Sequence, residues 1–152
     1  MSEVAKEKNK KTPRKIFNLG FMPVTYDHIE TLSRAGFRSI DSSKLDNLLP
    51  VISANESPET VRYIVNTTVC ELSINDGDIF IVSGIPDVGY YVVQALLKRI
   101  EELELNFVPL ILVPLGRHID GTFRVSGFRQ VIVPGVGEPA IHFISRKPLR
   151  KD

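Results

Sequence analysis

One guanidinium in this chain stands where phosphate chemistry would need it. Arg117 follows Pro114-Leu115-Gly116, just past a long apolar run. A strand-end loop there would aim it at a ligand, to bind phosphate through two parallel hydrogen bonds or to stabilise a pentacoordinate phosphorane. The competing reading is a solvated or ion-paired surface arginine. His118 comes next, either a second contact or an exposed loop residue. Arg124 and Arg129 lie further on and would reach the same place from this chain or from a dimer mate.

A second chemical feature is the stretch from Asp76 to Tyr91. Asp76-Gly77 signals a turn, and Ile79 to Val82 is an unbroken run of β-formers, as in a strand covered on both faces. Ser83-Gly84 ends the run, and Pro86 or Asp87 opens a helix. A strand feeding a helix through small residues presents unpaired backbone N–H groups, which favour an anion. Asp87 works partly against this, because its carboxylate competes for the same donors. Tyr90 and Tyr91, one turn on, are candidates for base stacking.

Several familiar chemistries are excluded. Gly84 to Gly89 has P-loop spacing, but Tyr90-Tyr91 replaces the required Lys-Ser/Thr. The dinucleotide glycine fingerprint is absent. His28, His118 and His142 fall on separate elements without ligand spacing, so neither a zinc site nor a histidine triad is expected, and no cofactor is implied. The single cysteine, Cys70, allows no internal disulfide and reads as a small hydrophobe packed in a helix.

Charge and composition point the same way. The 152 residues carry 19 Lys/Arg and 18 Asp/Glu, with 43% hydrophobic residues, as in one globular domain. Residues 1–15 hold six of the bases against Glu3 and Glu7, and residues 146–152 hold four against Asp152. Removing those ten bases and three acids leaves nine against fifteen, so the middle is at about −6. An acidic body with basic ends does not suit the coating of duplex nucleic acid. The opening is charged rather than apolar, and Phe107 to Leu115 is far too short to span a bilayer. A cytoplasmic protein with no membrane partner is expected. Residues 1–14 and 147–152 read as disordered basic tails on a single domain over 15–146.

The elements that must position these groups follow from periodicity and punctuation. Strands are expected over Lys15 to Gly20, Phe37 to Ile40, Ile79 to Val82 and Phe107 to Val113. Further strands are expected within Phe123 to Val133, kinked at Gly127, and over Ala140 to Ser145. Helices are expected over Tyr26 to Ala35 behind Thr25, over Lys44 to Leu49, from Ser57-Pro58 onward, and over Asp87 to Leu103. That alternation argues for a three-layer α/β fold with a mainly parallel sheet and a β-rich C-terminal part. Ligands of such sheets bind beyond the carboxyl ends of the strands. The segments to inspect are therefore Asn18 to Met22, with Asn18, Gly20 and Met22 as contacts, Ser83 to Asp87, and Pro114 to His118.

Gly77-Asp78-Ile79-Phe80-Ile81-Val82-Ser83-Gly84, followed by Gly89-Tyr90-Tyr91-Val92-Val93, resembles a segment of small CRISPR-associated CARF-like accessory proteins, among them ring nucleases. The likeness runs on through Arg117, Asp120-Gly121 and Val125 to Val131. It includes the opening Ile16-Phe17-Asn18 with Thr25 before a helix, and departs at Leu19 and at Gly20-Phe21-Met22. The resemblance implies a Rossmann-like homodimer of antiviral defence that binds cyclic oligoadenylate, and a metal-independent nuclease in which a ribose 2′-hydroxyl attacks its own phosphate. On that implication Arg117 is the catalytic group. Asn18, Ser83 and Gly84 hold phosphate or ribose, and Tyr90 holds adenine. A non-catalytic sensor or sponge and a purely structural interaction protein are the alternatives.

Overall fold

A computed structural model describes residues 13–82, 86–131 and 143–145. The two tails, Ser83 and Gly84, and His142 lie outside the described residues. The first strand, β1 (Arg14–Asn18), runs through a loop into helix α1 (Tyr26–Arg34). Gly36, at φ +105°, ends α1: its N–H donates to the Ser33 carbonyl, and the Phe37 N–H donates to the Leu32 carbonyl. This paired closure uses two carbonyls that the helix end would leave bare. It also carries Phe37 into the core, so β2 begins three residues later than its apolar pattern suggests, at Ile40–Asp41.

The helix expected over Lys44 to Leu49 does not form. Asn47 instead bridges β1, with its amide donating to the Gly20 carbonyl at 2.9 Å. Leu45 and Leu49 pack into different core clusters, on opposite faces of the sheet, which a single helical stripe could not do. Helix α2 (Pro58–Cys70) forms as expected, with Ser57 Oγ accepting the Thr60 N–H and Pro58 in the first turn. Its inward stripe is Val61, Val65 and Val69. Cys70, one residue on, is turned about 100° away and is exposed rather than packed. The wholly buried β3 (Ile79–Ile81) follows, then α3 (Pro86–Glu102).

The next element departs most from its pattern. The run expected to stop at Val113 continues as β4 (Leu110–Ile119), straight through Pro114. The Leu112 carbonyl accepts the N–H of Val82, just past β3, and the Ile111 carbonyl accepts that of Val131, just past β5, so even-numbered residues of β4 face β3 with their backbone groups. Pro114 therefore lacks its N–H on the side where β3 pairing has already ended at Ile81↔Leu112. Asp120 and Gly121, at φ +51° and +79°, make a two-residue turn into β5 (Thr122–Gln130). The last strand is β6 (Phe143–Ser145).

These strands form one sheet in the order β2-β1-β3-β4-β5-β6. The first four are mutually parallel, and β5 and β6 are added antiparallel. Moving from β1 to β2 goes one way across the sheet, and the two later crossovers go the other way. If all three crossovers keep one hand, α1 must lie on one face and α2 and α3 on the other. The core divides accordingly. Leu32 of α1 packs with Ile79, Ile81 and Leu112, and Phe80, Ile111 and Val82 pack beneath α2 and α3. The molecule is thus a three-layer α/β structure with a mixed, mainly parallel sheet.

Beyond Leu112, β4 and β5 run on past β3 as an antiparallel arm, flanked by β6 only as far as the Leu115↔Gly127 pair and two-stranded from there to the turn. Its register breaks between Leu115 and Gly116: Leu115 pairs with Gly127 but Gly116 pairs with Val125, so Ser126 is extra. This bulge reverses the side-chain parity of β5 alone. Phe128 on one side of it, and Val125 and Phe123 on the other, all belong to the α1 face. A side chain at Gly116 would put its Cβ 2.0 Å from the Arg124 carbonyl oxygen. Gly116→Ala is expected to destabilise the fold by about 2–3 kcal/mol, because the obstacle is backbone and must shift. Gly89→Ala, within α3 and with nothing within 4 Å of its new methyl, is expected to stabilise by about 0.5–1 kcal/mol. Urea unfolding of the two variants checks both signs.

Candidate functional site

The carboxyl ends of β1 and β3 are neighbours, and the helices that follow them, α1 and α3, pack on opposite faces of the sheet. Open α/β sheets take their ligands in the crevice expected at such a divergence. Asn18 ends β1 with 1% exposure. Its Oδ1 accepts the Gly20 N–H at 3.1 Å, and its Nδ2 donates to the Met22 carbonyl at 3.0 Å. The Leu48 N–H donates to its backbone carbonyl. Asn18 therefore shapes the loop from within, and the half-buried Phe21-Met22 segment is what that loop offers at its surface.

At the start of α3, Asp87 Oδ1 accepts the Val88 N–H at 2.9 Å. The competition anticipated for this carboxylate is thus real, and one of the helix donors is spent. Tyr90 is 60% exposed, with its hydroxyl accepting from Gln94 Nε2 and its ring against the edge of Tyr91 at 5.9 Å. Asp78, in the motif that carries the resemblance, is buried at the other end of β3. Its carboxylate accepts the Lys15 and Asn75 N–H groups and stands 3.5 Å from Lys15 Nζ. It ties the start of β1 to the start of β3 and is remote from the crevice.

Arg117 is not on a strand-end loop. It sits within β4, directly opposite Arg124, five residues past the last β3–β4 pair. At ~3.4 Å per residue this is about 17 Å along the strand from that pair. The structure does not bring Arg117 to Asn18. His118 is likewise within β4 and turned to the other face, with its ring 5.4 Å from Phe123.

The arm is held by two α1 residues that sequence reasoning passed over. Asp27 Oδ2 accepts the Val125 N–H at 2.6 Å, next to the bulge. His28 is 2% exposed, its ring 6.2 Å from Phe123 and 6.1 Å from Phe128. Its Nδ1 accepts the Thr25 N–H at 3.0 Å, closing the helix start where a Glu or Gln is usual. An Nδ1 that accepts must be unprotonated, so the neutral ring carries its proton on Nε2. The signal available in sequence was Thr25 with an acceptor side chain three residues later. Between α1 and the arm lies a recess of about 320 Å3 bordered by Tyr26, Asp27, Glu30, Phe123 and Arg124.

No group of three or more His, Cys, Asp or Glu among the described residues is arranged to hold a metal ion. No helix among the described residues is long and apolar enough to cross a membrane.

Burial pushes the pKa of His28 below the ordinary histidine value of 6.5, against a smaller opposing pull from Asp27. The unfolded chain therefore takes up this proton first as pH falls. Stability from the neutral ring is fully present above about pH 6.5 and declines below it. The melting temperature is expected to fall on acidification from pH 7 to 5. His28→Gln keeps an acceptor for Thr25 without titrating, so its melting temperature should vary less over the same interval.

Comparison with protein-family models, with curated proteins and with solved structures gives no match to this chain.

Proposed function

We propose that the protein is a Rossmann-like, cytoplasmic binder of a cyclic oligoadenylate, taken up at the carboxyl ends of β1 and β3. The observation that carries this reading is the reversal of strand order between those two strands, with α1 and α3 departing to opposite faces. In this reading the ligand lies between the loop after β1 and the start of the 17-residue α3. Exposed Tyr90, one turn into that helix, supplies a ring for adenine. The likeness of Gly77 to Val93 to CARF-like segments supports the choice of ligand, and a homodimer is part of the same proposal.

The reading is binding rather than cleavage. In-line attack by a ribose hydroxyl needs charge stabilisation at the phosphate held in the crevice. The arginine offered for that role stands about 17 Å along β4 from the last β3–β4 pair. This favours a sensor or sponge over a ring nuclease.

Thermal melting against AMP, ATP, NAD and cyclic tetra-adenylate tests the proposal. At a hundred times its Kd, the true ligand adds about 2.7 kcal/mol, or about 5–10 °C for a domain of this size. The largest shift is expected with cyclic tetra-adenylate, and no linear product on incubation with it in EDTA. Absence of a shift with every nucleotide rejects nucleotide binding, and release of linear product assigns turnover to the site.

A further inference from the structure

The bulge that turns Phe123 and Val125 toward α1 has an equal effect on the other face of the arm. On β4 that face carries Val113, Leu115 and Arg117; their partners on β5 are Arg129, Gly127 and Arg124. Without the extra residue at Ser126, Arg124 would share the α1 face, and only Arg117 of β4 and Arg129 of β5 would remain outside. With it, three exposed arginines stand on one side of one ribbon.

The row has a definite start and length. Val113 packs with the α2–α3 core, so Arg129 opposite it lies on the same side of the sheet as α3. Val113 is one residue beyond the Leu112↔Ile81 pair, which sets Arg129 level with the end of β3 and two strands across. Four residues further along β4, about 13 Å, stand Arg117 and Arg124, directly opposite each other. Like charges in that relation repel, and an anion laid between them removes the repulsion. The reverse face is fixed to α1 through Asp27 and Val125, so the ribbon presents its arginines from a held position.

We infer that Arg129, Arg117 and Arg124 form a track for consecutive phosphates, leading from the crevice outward, which makes the ligand an oligonucleotide rather than a mononucleotide. This rests on the nucleotide-binding reading above. Guanidinium groups suit the role because each grips phosphate through two hydrogen bonds while remaining charged at any relevant pH. Arg124 also borders the recess that holds Asp27 and Glu30.

Titration calorimetry with AMP and with cyclic tetra-adenylate, at several salt concentrations, separates the track from the crevice. In Arg117→Gln and Arg129→Gln the affinity for cyclic tetra-adenylate is expected to fall at least about tenfold, and the salt dependence by about one counterion per arginine. The affinity for AMP should stay within about twofold in both variants. Arg117→Lys keeps the charge and should retain the salt slope; melting temperatures within a degree or two of wild type exclude misfolding. If the wild type binds both ligands and the glutamine variants lose nothing for the cyclic one, the track is refuted and the crevice stands. If AMP weakens in parallel, these arginines belong to the crevice and the track is again refuted. If the wild type binds neither ligand, both the track and the reading beneath it fall.

Discussion

Gly116 lies so close to the Arg124 carbonyl that no side chain fits between them, and the two-stranded arm depends on that contact. The approach allows Ser126 to be squeezed out of register. The squeeze is what lets one strand keep its apolar residues against α1 on both sides of the bulge. In a regular ribbon Phe128 and Phe123 would fall on opposite faces, since side chains alternate with a period of two. One of them would then face away from the core. A single inserted residue resolves this, and it fixes where the arginines go as a by-product.

The arm and the sheet are joined by groups that serve more than one purpose. Asp27 lies in the first turn of α1, where its charge suits the helix dipole, and it also takes the Val125 N–H near the bulge. His28 closes the same helix start through Thr25 and fills the space under Phe123 and Phe128. Protonation of that ring would remove its acceptor and place charge under two aromatic rings. Helix start and arm are therefore coupled through one imidazole. At the opposite end of the sheet Asp78 plays a corresponding part, holding two backbone donors of neighbouring segments.

The crevice and the arginine row are distinct parts of one surface. The crevice comes from topology, because parallel strands whose order reverses must send their connections to opposite faces. The row comes from register, because a bulge decides which residues of β5 look outward. Arg117 belongs to the second part and not the first. On the proposed reading, Arg117 serves as a charge held at a distance along a strand, rather than a group poised over a reacting atom.

Local punctuation was legible in the sequence wherever the chemistry is local. Ser57-Pro58 started a helix, Gly36 stopped one, Asp120-Gly121 made a turn, and Ile79 to Val82 was a buried strand, each because neighbouring residues alone fix the backbone there. Alternation of strands and helices was enough for an α/β layering. The sequence could not show that Pro114 sits inside a strand, since its missing N–H is harmless only because β3 has ended beside it. Nor could it show that Asn18 faces inward, that Cys70 faces outward, or that Arg117 and Arg124 stand opposite each other. Those facts depend on which segments meet across long separations in the chain. Only the folded sheet, through its strand order and one bulge, decided them.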